Sequence, residues 1–96
     1  MYCTGRSSRR RPGRGLPGRP ETIEETAGLV ERAGGVGIAV PTDHSREPEV
    51  RGLMRRIERE RGRLDILVND IWGGERLTQW DTPFWKLDVG KGRELV

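Results

Sequence analysis

Short apolar runs alternate with amphipathic stretches along the chain. Residues 36–40 are a continuous apolar run, which is typical of a strand buried on both faces of a parallel sheet, and residues 64–69 form another strand of the buried type. Residues 2–4 are β-prone and end at Gly5, which predicts the last part of an earlier strand. Three strands are therefore predicted.

Two amphipathic helices are predicted between these strands. The first begins at Thr22 and Glu25, which have capping-box spacing, and ends at Gly34. The second follows Ser45, a suitable capping residue, and ends at Gly62. Apolar residues recur at helical spacing on one face of each helix: Ile23, Ala27 and Val30 in the first, and Val50, Leu53, Met54 and Ile57 in the second.

The order of elements favours an α/β fold. Residues 76–83 are irregular, and a last helix is predicted to start near Phe84 despite Gly90 and Gly92. Strand, helix, strand, helix, strand and the start of a helix predict a parallel sheet with crossover helices. A chain of 96 residues holds one domain at most.

Composition adds a basic N-terminal region to this picture. Residues 1–20 contain six Arg, four Gly and three Pro, which predicts a flexible loop over residues 6–20. The net charge is +3. A basic run of this kind can bind nucleic acid or a small phosphorylated ligand, or it can be solvated. Solvation is the commonest of the three.

The remaining composition points to a soluble cytoplasmic protein. The single cysteine, Cys3, allows no internal disulfide and fits a reducing compartment. The sequence contains no apolar stretch near the ~20 residues of a membrane span and no secretory signal pattern.

Polar residues follow each predicted strand. Arg6 and Ser7 follow the first, Asp43 follows the second, and Asn69 ends the third. Asp43 and Asn69 are 26 positions apart, which suits one turn, one helix and one strand. This ordered set resembles the cofactor-binding half of the short-chain dehydrogenase/reductase family.

The resemblance implies a cofactor and roles for these residues. Arg6 and Ser7, with Arg9 assisting, would hold the 2′-phosphate of NADP, since arginine offers a planar fork of donors to a dianion. Asp43 would accept a hydrogen bond from the adenine amino group. Asn69 matches the first residue of the family's Asn-Asn-Ala-Gly ending and would steady the central sheet. Asp70, Ile71 and Trp72 depart from that ending, which indicates a divergent member.

The resemblance also implies that this is an internal piece of a longer protein. The parent would be a homo-oligomer with a three-layer Rossmann domain, and it would transfer a hydride between NADP(H) and a carbonyl or alcohol. The chain contains neither the family's phosphate-binding Gly-rich loop nor a Tyr-x-x-x-Lys pair. We expect a partial sheet that lacks the first strand of the parent fold. We also expect the isolated chain to be inactive.

Other interpretations remain open. The chain could be a small basic protein that binds nucleic acid, although the basic loop has no interleaved aromatic residues. It could also be a truncated product without a function. His44 has no second ligand nearby and predicts no metal site. Trp72, Trp80 and Trp85 either wall a substrate pocket or pack over the end of the sheet.

Overall fold

The structure is a computed structural model that describes residues 1–11, 20–71 and 77–95. It divides into two compact units, Met1–Ile66 and Leu67–Val96. The predicted strands and helices of the α/β unit fall mainly in the first.

The first unit contains a two-stranded parallel sheet. Strand β1 (Tyr2–Gly5) pairs with β2 (Ile38–Pro41), and Cys3 lies opposite Ala39. The parallel pairing confirms the α/β fold class. Side chains alternate between the faces of a strand, so Cys3 lies on one face of β1 while Tyr2 and Thr4 lie on the other.

Helix α1 (Ile23–Arg32) connects the two strands and covers the Cys3 face. The predicted capping box is present, because Thr22 accepts from the Glu25 backbone and the Glu25 carboxylate accepts from the Thr22 backbone. Ile23 and Ala27 pack against Cys3 to form the buried apolar cluster. The crossover connection therefore depends on two local sequence features, the capping box and the apolar face of α1.

Helix α2 (Glu47–Arg61) follows β2, and its residue Glu60 bonds to the opposite face of β1. The Tyr2 hydroxyl donates to the Glu60 carboxylate at 2.6 Å. Gly62 ends the helix in the left-handed conformation, at φ 73°, as predicted. The prediction that Ser45 caps this helix was wrong: Arg46 is the N-cap, and it makes no side-chain cap bond because a guanidinium has no acceptor. The Ser45 hydroxyl donates to Asp43 instead.

The third predicted strand, residues 64–69, is absent from the sheet. The structure gives this segment no strand, and the side chains of Leu64, Ile66, Leu67 and Val68 are exposed. By resemblance, β1, β2 and residues 64–69 correspond to the second, third and fourth strands of a doubly wound sheet. In that order the first strand lies between the second and the fourth. The prediction of a buried strand was wrong here because the two-stranded sheet offers this segment no neighbouring strand.

The second unit contains two short helical segments. Phe84–Lys86 form a single 3-10 turn, and α3 (Val89–Leu95) follows it. The Asp88 carboxylate accepts from the backbone of Gly90 and Lys91, which caps this helix despite its glycines. Among the described residues, no helix has the length and apolarity to cross a membrane.

Candidate functional site

The carboxyl ends of β1 and β2 lie side by side. The Thr42 amide donates to the Gly5 carbonyl at 2.9 Å, and the Thr42 side chain is buried. Residues that follow the two strands therefore start from adjacent points. In open α/β sheets, ligands bind outside the carboxyl ends of the strands.

Asp43 is held by the turn that follows β2. Its Oδ1 accepts from the Ser45 hydroxyl at 2.6 Å and from the Ser45 amide at 3.1 Å. These two bonds lower the pKa of the Asp43 carboxyl, and the charges of Arg6 and Arg46 lower it further. Asp43 is therefore an oriented carboxylate near neutral pH. Its Oδ2 has no hydrogen-bond partner within the described ranges.

Arg6 and Ser7 follow the end of β1, and the Arg6 charge acts on the Asp43 carboxyl. The Arg6 side chain is exposed, and it forms no ion pair with any residue that the structure describes. The carbonyl of Ser7 accepts from the Ile23 amide at 3.0 Å, which ties the loop to the start of α1. Three of the four predicted site residues, Arg6, Ser7 and Asp43, thus follow the adjacent carboxyl ends of β1 and β2.

The other arginines of this edge are mostly paired. Arg9 lies 3.5 Å from a Glu25 oxygen, and both side chains are at least half exposed. Arg11 lies 3.0 Å from Glu49. Such exposed pairs contribute little to stability, but they partly neutralise those guanidinium groups. Among the described arginines of this edge, Arg6 and Arg10 have no ion-pair partner, and the Arg6 charge acts on the Asp43 carboxyl.

A tight turn follows Ser7. The Arg11 amide donates to the Ser8 carbonyl at 3.1 Å. The buried Ser8 hydroxyl donates to Glu24 at 2.6 Å, and the Arg9 amide donates to the other Glu24 oxygen. The Ser8 bond is the main cause that lowers the pKa of Glu24. Residues 12–19 of the predicted flexible loop lie outside the described residues.

Glu49 connects the loops that follow the two strands. Its Oε2 accepts from the Asp43 amide at 2.8 Å and from Arg11 Nη1 at 3.0 Å. Its Oε1 accepts from Arg46 Nη1 at 3.1 Å. The Asp43 amide bond is the largest cause of the lowered pKa of Glu49. One carboxylate therefore fixes the turn after β2 and also contacts the loop after β1.

Sequence reasoning missed Glu49 and the contact of His44. The His44 Nε2 lies 3.0 Å from the Thr4 hydroxyl, which joins the turn after β2 to β1. Glu49 occupies the third position of α2, where capping boxes place a glutamate. The capping-box pattern could not be recognised from the sequence, because the residue at the N-cap position, Arg46, is not one of the residue types that usually cap helices.

Asn69 and the tryptophans lie elsewhere in the chain. Asn69 belongs to the second unit and is exposed, as are Trp80 and Trp85. Trp85 meets Phe84 edge to face, with ring centroids 5.1 Å apart. Trp72 lies outside the described residues. In the described part of the chain, no group of three His, Cys, Asp or Glu side chains could hold a metal ion.

No protein-family model matches the chain, but the chain is similar to several known proteins. The mouse protein "Dehydrogenase/reductase SDR family member 1" is 36% identical over 70 residues, which cover 70% of this chain and 22% of the mouse protein. The human protein of the same name is 36% identical over 69 residues, or 69% of this chain and 22% of its own length. The "Uncharacterized oxidoreductase YxjF" of Bacillus subtilis is 38% identical over 52 residues, which cover 54% of this chain and 20% of that protein.

The strand–helix–strand unit and these relatives agree. The fold is α/β, with a partial sheet of the Rossmann type. The chain belongs to the short-chain dehydrogenase/reductase family. It spans 22% of the length of the mammalian relatives that it matches.

Proposed function

We propose that this chain forms the adenosine end of an NADP site in a short-chain dehydrogenase/reductase. The observation that carries the proposal is Arg6, an exposed cation without an ion-pair partner among the described residues, whose charge acts on the oriented carboxylate of Asp43 at the carboxyl ends of β1 and β2. A cation beside an acceptor suits a ligand that carries both a phosphate and an amino group.

The residues present fit this end of the cofactor. Arg6 and the Ser7 hydroxyl would hold the 2′-phosphate, because guanidinium and hydroxyl donors match its oxygens. Asp43 Oδ2 would accept from the adenine amino group, while Ser45 keeps Oδ1 in place. In the complete sheet of the whole protein, Asn69 would steady the central strands. NADP, when bound, would supply the hydride chemistry.

The whole protein would act on a carbonyl or alcohol as a soluble cytoplasmic homo-oligomer. The sequence of this chain contains no Tyr-x-x-x-Lys pair. We therefore infer that the chain by itself binds the adenosine end of the cofactor without turning over a substrate.

Adenosine 2′,5′-bisphosphate tests this proposal, because it carries only the adenosine end of NADP. Calorimetric titration of the full chain at low ionic strength should show binding about tenfold tighter than that of 5′-AMP, since a charge-assisted contact to the 2′-phosphate is present only in the bisphosphate. Arg6→Gln should abolish this preference.

The matched control is Arg55→Gln, which removes an exposed arginine from α2. It should leave the preference for the 2′-phosphate unchanged. Equal affinities for the two nucleotides in the wild-type chain would refute the proposal. An equal loss of preference in the Arg6 and Arg55 variants would also refute it, because the effect would then reflect net charge alone.

A further inference from the structure

The Glu49 carboxylate has a position that the sequence pattern did not indicate. It lies on the first turn of α2, outside the predicted ligand contacts, and its side chain is only 20% exposed. It accepts hydrogen bonds from the backbone after β2 and from a side chain of the loop after β1. No other carboxylate in the described ranges has contacts of this kind to both loops.

We propose that Glu49 is a positioning residue of the nucleotide site, which holds the Asp43 turn and the loop after β1 in one fixed arrangement. This inference rests on the proposed function. Glu49 does not contact the ligand itself, because its oxygens face Asp43, Arg11 and Arg46. It acts through the backbone of Asp43, whose carboxylate would meet the adenine.

The geometry supports two consequences of this arrangement. The Arg46 amide donates to the Asp43 carbonyl at 3.0 Å, so the Glu49 bond to the Asp43 amide completes a turn that is closed from both sides. Glu49 also engages Arg11 and Arg46. These two arginines are thereby kept from binding phosphate in place of Arg6.

Discrimination between two isomers measures this positioning. Adenosine 2′,5′-bisphosphate and adenosine 3′,5′-bisphosphate have the same charge and composition. Arg11 and Arg46, if Glu49 did not hold them, would bind either isomer, whereas a site of fixed geometry binds one isomer more tightly. The wild-type chain should prefer the 2′ isomer. In Glu49→Gln the preference should fall by about fivefold, since an amide cannot keep both arginines in charge-assisted bonds.

Two further variants separate positioning from a general loss of charge or of fold. Glu47→Gln removes the same charge from the same helical turn, where the Glu47 carboxylate is 74% exposed and, among the described residues, pairs only with Arg51. It should keep the wild-type preference between the isomers. Arg11→Gln removes the hydrogen bond between Glu49 and the loop after β1, and it should lower the preference for the 2′ isomer. Circular dichroism should confirm that each variant is folded.

The amide proton of Asp43 gives a readout that needs no ligand. A 2.8 Å bond to a carboxylate should shift this proton downfield, and Glu49→Gln should move it upfield and speed its exchange with solvent. Glu47→Gln should leave it in place. An unchanged Asp43 amide in Glu49→Gln would overturn the inference.

The outcomes also distinguish this inference from the function on which it rests. A wild-type chain that shows no preference for the 2′-phosphate over 5′-AMP overturns the proposed function and this inference with it. A wild-type chain that has the preference, together with a Glu49→Gln variant that keeps the full discrimination between isomers, overturns the inference alone.

Discussion

At the scale of single residues, the Ser8 hydroxyl organises the start of the arginine-rich loop. It is buried, and it donates to a carboxylate of α1 that also accepts from the Arg9 amide. A loop that would be solvated on composition alone is thereby fixed where it leaves β1. This contact keeps Arg6 and Ser7 near the carboxyl end of the sheet.

We predict that Ser8→Ala lowers the free energy of unfolding by about 1 kcal/mol at pH 7, because a hydrogen bond to a charged acceptor is lost. The pKa of Glu24 is lowered from its ordinary value of 4.5 mainly by this bond. A lowered carboxyl pKa contributes stability above pH 4.5 and loses it as the pH falls through the folded-state value.

Urea denaturation of both chains at several pH values checks this prediction. The difference between wild type and Ser8→Ala should shrink below pH 4.5. The matched control is Ser7→Ala, since the Ser7 hydroxyl makes no hydrogen bond to another described residue. A difference that is constant, or that grows in acid, would show that the Ser8–Glu24 bond is not its source.

At the scale of elements, β2 enters the sheet through a close contact with α1. A Cβ atom at Gly37 would overlap the Ala27 carbonyl oxygen and would lie 2.8 Å from the Ala27 Cα. The obstacle is helix backbone, which cannot rotate away as a side chain can. Glycine at this position therefore sets the distance between α1 and the start of β2.

Gly37→Ala should destabilise the chain by about 1–3 kcal/mol, as overpacking commonly does. Gly52→Ala is the control, because nothing lies within 4 Å of a Cβ at that position of α2. It should stabilise by about 0.5–1 kcal/mol through the backbone entropy of glycine. Thermal melts of the two variants should thus move in opposite directions, and a shared direction would contradict this packing.

The elements that could be predicted from sequence are those with local causes. The Thr22–Glu25 capping box and the Gly62 terminus lie within a few residues of the helix ends that they fix. The contacts of Glu49 with Asp43 and Arg11 depend on how separate elements meet, and no local pattern reveals them. Asp43 and Arg6 could be placed at strand ends, because parallel strands bring their carboxyl ends to one edge.

At the scale of the whole molecule, the segment of residues 64–69 marks where the sequence pattern and the structure diverge. A strand that is buried on both faces of a complete sheet consists mainly of apolar residues, and this pattern predicted a strand over residues 64–69. In the two-stranded sheet that burial is missing, and Val68 is 78% exposed. Exposed contiguous apolar surface of this kind favours association between chains.

Val68→Lys should therefore leave the free energy of unfolding within about 0.5 kcal/mol of wild type, as is usual for exposed positions. It should also reduce aggregation, measured by light scattering at increasing concentration. Ile57→Lys is the contrast, because Ile57 is buried on α2, where truncation alone costs about 2–5 kcal/mol. A Val68 variant as unstable as the Ile57 variant would show that residues 64–69 are buried after all.

We propose that the carboxyl ends of β1 and β2 bind the adenosine 2′-phosphate. Amide chemical shifts of the isotope-labelled chain, recorded during titration with adenosine 2′,5′-bisphosphate, test it most directly. We expect shift changes concentrated at Arg6, Ser7 and Asp43, with a smaller response to 5′-AMP. Changes that spread over the arginines of α2, or that are equal for the two nucleotides, would contradict it.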